Sequence, residues 1–105
     1  MVTAVSTEEF EDLRENPEVK VVDVLSTEHF SEGHIPGAIN IPLENIASEA
    51  LKEFDKSDDI VVYCKDLDCS ASPKAAEKLE SLGFRNVYDY EVGLKGWKES
   101  GHETE

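Results

Sequence analysis

The sequence has little positive charge, few cysteines and no long apolar run. Its 105 residues include 10 lysines and arginines against 24 aspartates and glutamates, so the formal net charge is −14. A chain this acidic repels phosphate backbones and anionic lipid headgroups, and we therefore expect neither nucleic acid nor a membrane as a partner. No apolar stretch approaches the ~18 residues of a membrane-spanning helix. The first residues lack a basic segment followed by an apolar stretch, so we expect no secretory signal and a cytoplasmic location.

The excess of carboxylates has three interpretations. It keeps a protein in solution, it is typical of proteins adapted to high internal salt, where ions screen the repulsion, and it also suits a basic partner protein. Composition alone does not separate them.

The two cysteines, Cys64 and Cys69, are too few and too close for the disulfide framework of a secreted domain. Their spacing also differs from the C-x-x-C of thioredoxin-like motifs and common zinc sites. The three histidines, His29, His34 and His102, do not complete a metal-binding pattern with them. We expect neither a metal nor a cofactor.

Strand-like and helix-like segments alternate along the chain. Apolar, β-branched runs predict strands at 19–24, 38–41, 60–63 and 86–90, after a short apolar start at 3–5. Helical patterns lie between them, and the first begins with a capping box of Ser6 and Glu9. This alternation predicts one α/β domain over residues 1–105, with a parallel sheet and helices on both faces.

Cys64 directly follows the apolar run at 60–63, and a helix is predicted to begin near Ser72 and Pro73. In open α/β sheets, ligands bind beyond the carboxyl ends of the strands. Backbone amides of the intervening loop favour an anion there, and such surroundings lower the pKa of a cysteine. The sequence therefore makes Cys64 a candidate nucleophile, although a small buried residue would fit the same position.

Three motifs resemble the rhodanese-like domain family. Val21–Val24 is followed by the run GHIPGAINIP at 33–42. VVYC at 61–64 is followed by AAEKL at 75–79, and GLKGW lies at 93–97. These motifs occur in the family's order over nearly the whole chain.

The resemblance implies a rhodanese fold, with a five-stranded parallel sheet and helices on both sides. It implies a sulfurtransferase whose cysteine, Cys64, takes a sulfane sulfur from a small donor. A thiol or a protein then accepts the sulfur. The family's six-residue active-site loop corresponds to Cys64–Cys69, with Ser70 following. We expect a monomer.

The loop departs from the family pattern. Lys65 keeps a basic residue, but Leu67 stands at the usual glycine position and Cys69 at the usual arginine position. Leu25 replaces an arginine often found after the strand aspartate. Asp66 and Asp68 place negative charge beside an anion site, which raises a thiolate's pKa and repels thiosulfate. A persulfide or polysulfide donor is therefore favoured.

Cys69 could attack a persulfide on Cys64, which would release sulfide and leave a disulfide. The alternative is that Cys69 is a small residue packed at the start of the helix.

Asp23 and His34 could support Cys64, but an aspartate at a strand end commonly binds loop amides, and His34 suits a structural role in its loop. Ser70 and Ser72 are interpreted as helix caps, and Trp97 as a core residue.

Two other function classes remain open. A rhodanese-like interaction module would keep the fold without the chemistry, and the acidic loop is consistent with that. Phosphatases and arsenate reductases of related fold need a loop arginine that holds the oxyanion through two hydrogen bonds. The absence of that arginine argues against both.

Overall fold

The structure, a computed structural model, describes residues 2–105 and contains a five-stranded sheet with parallel pairing throughout. The strands are β1 (Val2–Val5), β2 (Lys20–Asp23), β3 (Ile39–Asn40), β4 (Asp59–Tyr63) and β5 (Asn86–Tyr90). Their order across the sheet is β1-β5-β4-β2-β3, so β4 is the central strand. The predicted parallel sheet is confirmed.

The connections between the strands are helical. They contain α1 (Thr7–Arg14), α2 (Thr27–Glu32), α3 (Ile46–Glu53) and α4 (Ala71–Ser81), and α5 (Gly93–Glu99) follows the last strand. A 3₁₀ turn at Leu43–Asn45 precedes α3. None of the helices in residues 2–105 is long and apolar enough to cross a membrane.

The predicted capping box at the start of α1 is confirmed. The Glu9 amide donates to the Ser6 hydroxyl at 3.2 Å, and the Ser6 amide donates to the Glu9 carboxylate at 2.9 Å. Both bonds satisfy amides that the first helical turn leaves unpaired.

Alternating side chains of the strands form two apolar clusters, one on each face of the sheet. On one face Val22, Val62 and Val87 pack with residues of α3 and α4. On the other face Val21, Val61 and Tyr90 pack with Phe10 of α1 and Trp97 of α5. The sheet is therefore covered on both sides, as predicted, and Trp97 is a core residue.

Two elements differ from the sequence prediction by more than a one-residue shift of a strand end. Residues 3–5, expected only as an apolar start, belong to the edge strand β1 and pair with β5. α4 begins at Ala71, so Pro73 is its third residue and not its first. Proline is tolerated there because the first turn of a helix leaves its amides without intrahelical partners.

Candidate active site

Cys64 lies at the carboxyl end of β4, the central strand, just before the loop that leads into α4. Its side chain shares the α3–α4 face with Val62, and it has no exposed surface. The structure thus places Cys64 at the edge of the sheet where ligands of α/β proteins bind.

The start of α5 holds the Cys64 backbone in place. The Leu94 amide donates to the Cys64 carbonyl at 2.9 Å, and the Lys95 amide donates to the Lys65 carbonyl at 2.8 Å. This approach requires Gly93, which has φ +61° and no room for a side chain, since a Cβ there would lie 2.4 Å from the Cys64 oxygen. The GLKGW motif therefore positions the backbone of Cys64 and Lys65 through its first glycine.

The loop after Cys64 folds around its own aspartate. One carboxylate oxygen of Asp66 accepts hydrogen bonds from the amides of Asp68 and Cys69, each at 3.1 Å. Leu67, at the tip, is 67 % exposed. Two amides that could have faced a sulfur anion are thus already bound to a carboxylate of the same loop.

The thiol of Cys64 is held in its protonated form. It donates a hydrogen bond to the Cys69 carbonyl at 3.6 Å. Burial, aided by the Cys69 side chain, raises the pKa of Cys64 to about 11, although hydrogen bonds from Ser72 oppose the shift. The sequence-based expectation of a lowered pKa is therefore wrong for this conformation, because the Cys64 side chain is buried.

Cys69 and Ser70 complete the loop. Cys69 is partly buried at the edge of the α3–α4 cluster, and both cysteines are free thiols. Ser70 occupies the N-cap position of α4, but its side chain makes no capping hydrogen bond. Ser72 is buried inside the first turn of α4. The predicted capping by these two serine hydroxyls is therefore wrong, because neither makes a capping bond.

The hydrogen bonds given by the structure for the Asp23 and His34 side chains do not involve the Cys64 thiol. Asp23 alternates with Val22 and Val24, so it faces the opposite side of the sheet from Cys64, and it accepts a hydrogen bond from the Leu25 amide at 2.9 Å. Burial raises the pKa of Asp23, and the Leu25 amide partly offsets this.

His34 bonds through Nδ1 to the Phe30 carbonyl at 2.9 Å and stacks on the Phe30 ring. The observed contacts of both residues are those of structural groups. Their supporting role for Cys64 stays a prediction.

A cavity of about 370 Å³ opens beside the loop, between the loop, the end of α2 and α5. Its lining includes three lysines, Lys65, Lys95 and Lys98, together with Glu32 and Asp66. In a chain with only 10 lysines and arginines, this is a local concentration of positive charge. The cavity offers an approach to the loop for an anionic reactant.

Two polar residues near Cys64 are buried. Ser72, interpreted from the sequence only as a helix cap, is 1 % exposed, and Asp89 in β5, which the sequence motifs did not include, is 4 % exposed. An aspartate inside a predicted buried strand was the available signal, since buried carboxylates are rare without a partner. Within residues 2–105, no three histidine, cysteine or acidic side chains are grouped as metal ligands.

Comparison with known proteins gives consistent matches. The family model described as rhodanese-like domain matches residues 6–100. The thiosulfate sulfurtransferase GlpE of Shewanella oneidensis is 33 % identical over 88 residues, which is 84 % of each chain. The human single-domain sulfurtransferase TSTD1 superimposes with a TM-score of 0.82 at 27 % identity, covering 91 % of this chain and 95 % of that one.

A third relative is larger. The HTH-type transcriptional regulator Rv0324 of Mycobacterium tuberculosis is 40 % identical over 88 residues, or 84 % of this chain. The chain spans only 38 % of that regulator's length, and 51 % of another curated relative.

Proposed function

Because the chain belongs to the rhodanese-like domain family, we propose that it is a sulfurtransferase that carries a sulfane sulfur as a persulfide on Cys64. The observation that carries this proposal is the position of Cys64. It ends the central strand, beneath the first turn of α4, and α5 fixes its carbonyl. Relatives named as sulfurtransferases match over most of their length.

The reaction has two steps. In the first, the Cys64 sulfur attacks the sulfane sulfur of the donor, the donor's own sulfur–sulfur bond breaks, and the remainder of the donor leaves as an anion. In the second, a thiolate of the acceptor attacks the outer sulfur of the persulfide, and Cys64 leaves as a thiolate. No outside oxidant is needed, because the sulfur arrives and leaves in the same oxidation state.

The loop must move for the donor to reach Cys64. The sulfur has no exposed surface, and the pKa of its thiol is about 11. The loop packs lightly at its tip, where Leu67 is largely exposed. We propose that entry of the donor displaces this tip and turns loop amides toward the sulfur, where they stabilise the anion.

A persulfide or polysulfide is the proposed donor. Asp66 and Asp68 lie in the loop and oppose a second negative charge beside the sulfur, which weakens binding of the thiosulfate dianion. The lysine-lined cavity still favours a singly charged donor. A small thiol or a partner protein is the proposed acceptor.

Sulfur transfer tests this proposal. The chain is loaded with polysulfide or with thiosulfate, freed of donor, and mixed with a dithiol while released sulfide is measured. We expect about one sulfide per chain after polysulfide and less after thiosulfate, and none from Cys64→Ser. Equal release from Cys64→Ser would contradict the proposal that Cys64 carries the sulfur.

Hydrogen bonding between the two cysteines favours a second candidate, a thiol–disulfide function. The Cys64 thiol donates a hydrogen bond to the Cys69 carbonyl, and the Cys69 side chain helps to raise the pKa of that thiol. Attack of Cys69 on the inner sulfur of a Cys64 persulfide would form a Cys64–Cys69 disulfide and release the outer sulfur as sulfide. The test is alkylation after polysulfide treatment without any added thiol, because a dithiol would itself reduce the disulfide. An alkylatable sulfur at each of the two cysteines would exclude this function.

A further inference from the structure

Asp89 is a buried carboxylate that the proposed reaction has not yet used. It is 4 % exposed, and its Oδ1 atom has no hydrogen-bond partner. An ionised carboxylate in such a place is costly, and native proteins retain few polar atoms of this kind. The position of Asp89 relative to Cys64 explains why a buried carboxylate lies at this place in the fold.

Asp89 and Cys64 lie on the same face of the sheet. Along β5, Asp89 follows Val87 by two residues and therefore points, like Val87, toward α4. Asp89 is in register with Val62 of β4, and Cys64 follows Val62 by two residues. The two acids are thus diagonal neighbours, separated by about 6.6 Å along the strands and about 4.8 Å across them. That is too far for a direct hydrogen bond.

Ser72 stands between them. It is the second residue of α4, is 1 % exposed, and lies over this face of the sheet. Burial raises the pKa of both Cys64 and Asp89, and hydrogen bonding to the Ser72 hydroxyl opposes the rise at each of them. A hydroxyl has only one proton to donate, so it donates to the charged group and accepts from the protonated one.

We propose that Asp89 takes the proton of the Cys64 thiol through the Ser72 hydroxyl as Cys64 attacks the donor. This proposal rests on the proposed function, in which Cys64 is the nucleophile. When the loop moves, the thiol turns from the Cys69 carbonyl, its partner in the closed loop, to the Ser72 oxygen. The thiol proton then moves to the Ser72 oxygen, and the Ser72 proton moves to Asp89. When Cys64 later leaves the persulfide as a thiolate, the same path returns the proton. Asp89 acts through another residue and is therefore a positioning residue.

Charge balance favours this path. Burial raises the pKa of Asp89, and Ser72 opposes the shift. Proton transfer keeps a single negative charge in the buried cluster, whereas a thiolate beside an ionised Asp89 would place two there. Two other titratable groups affect these pKa values. Cys69 raises the pKa of Cys64, and Glu91 raises that of Asp89. The neighbouring strand residues, Ala4 and Val62, are uncharged.

The experiment follows alkylation of Cys64 by iodoacetamide from about pH 5 to about pH 10 in the wild type, Asp89→Asn, Ser72→Ala and the double variant. Trypsin cleaves after Lys65, so Cys64 and Cys69 fall on separate peptides and are quantified separately. We expect Asp89→Asn to slow Cys64 by at least about tenfold near neutral pH. The rate should recover only as the pH approaches the thiol's own pKa.

A purely electrostatic role predicts the opposite sign. If Asp89 were only a nearby charge, its removal would ease formation of the thiolate and speed alkylation. A faster or unchanged rate in Asp89→Asn would therefore overturn the proposal. The double variant should be no slower than the slower single variant, because both changes interrupt one path. If the decreases in the alkylation rate of the two single variants added fully in the double variant, the proposal would also be overturned.

Alkylation needs no sulfur donor, so the two proposals fail separately. A wild type that accepts no sulfur, while Asp89→Asn still slows alkylation, would remove the sulfurtransferase function and leave the role of Asp89. Asparagine is nearly isosteric with aspartate, and fluorescence of Trp97, the single tryptophan, verifies folding of each variant in urea.

Discussion

At the scale of single residues, Asp66 fixes the backbone conformation of the loop after Cys64. Its carboxylate binds the amides of Asp68 and Cys69, and these are amides that a sulfur anion would otherwise attract. Asp66 therefore competes with the sulfur for the same donors. The charge of Asp66 also lies next to the site where the persulfide would carry its own.

Replacing Asp66 by alanine should make Cys64 more reactive. The substitution frees the Asp68 amide, whereas the Cys69 amide keeps its bond to the backbone carbonyl of residue 66 at 3.2 Å. The freed amide and the lost charge both favour the thiolate, and each unit by which its pKa falls raises the thiolate fraction tenfold. We expect alkylation of Cys64 near pH 8 to be roughly tenfold faster in Asp66→Ala.

Asp68→Ala is the matched control, because it removes the same charge from the same loop. The Asp68 side chain accepts no amide hydrogen bond from the loop, in contrast to Asp66. Equal rates in the two variants would show that charge alone matters and that the amides are not the competing donors.

The position of Cys64 at the end of a strand was predictable from the sequence, but its surroundings were not. Cys64 ends an apolar run and begins a polar one, and that order is local. The approach of Ser72 and Asp89 depends on strand register and on the rotation of α4, which link residues far apart in the chain. The capture of loop amides by Asp66 depends on loop conformation, which composition does not determine.

At the scale of elements, α5 serves as a brace for the loop. Its first amides bind the carbonyls of Cys64 and Lys65, and Gly93 permits the close approach. The last helix of the chain thereby positions a residue in its middle.

Gly93→Ala should disturb this brace. A Cβ would meet the Cys64 oxygen, and the positive φ alone costs an alanine about 1–2 kcal/mol. We expect the free energy of unfolding in urea to fall by more than this amount and Cys64 to lose its protection from alkylation.

Gly101→Ala is the matched control. Gly101 has φ +88° with open space around it. The free energy of unfolding of Gly101→Ala should therefore fall only by the cost of the positive φ, about 1–2 kcal/mol. Similar losses in the two variants would contradict a specific contact between Gly93 and the loop.

Elements were predicted well where the pattern was strong. The capping box and the strand before Cys64 are confirmed. β1 was predicted only as an apolar start because it is short and lies at the edge of the sheet, so its strand character depends on pairing with β5.

At the scale of the whole molecule, the net charge of −14 acts against folding. A compact chain with so many carboxylates repels itself, and salt screens that repulsion over a distance of about 10 Å at 0.1 M. The local positive charge of the lysine-lined cavity is an exception on this surface.

Salt should therefore stabilise the protein. We expect the urea midpoint of unfolding to rise between about 0.01 M and 0.1 M salt, equally for sodium and potassium chloride, because screening does not depend on the ion. A flat or falling midpoint would show that the carboxylates are spaced widely enough to avoid repulsion.

The central claim is that Cys64 itself carries the transferred sulfur. Peptide-resolved mass spectrometry after polysulfide loading and alkylation tests it most directly, because Lys65 lets trypsin separate the two cysteines. The account predicts one added sulfur on the peptide that contains Cys64, both in the wild type and in Cys69→Ser. An added sulfur found only on the Cys69 peptide, or on neither, would contradict it.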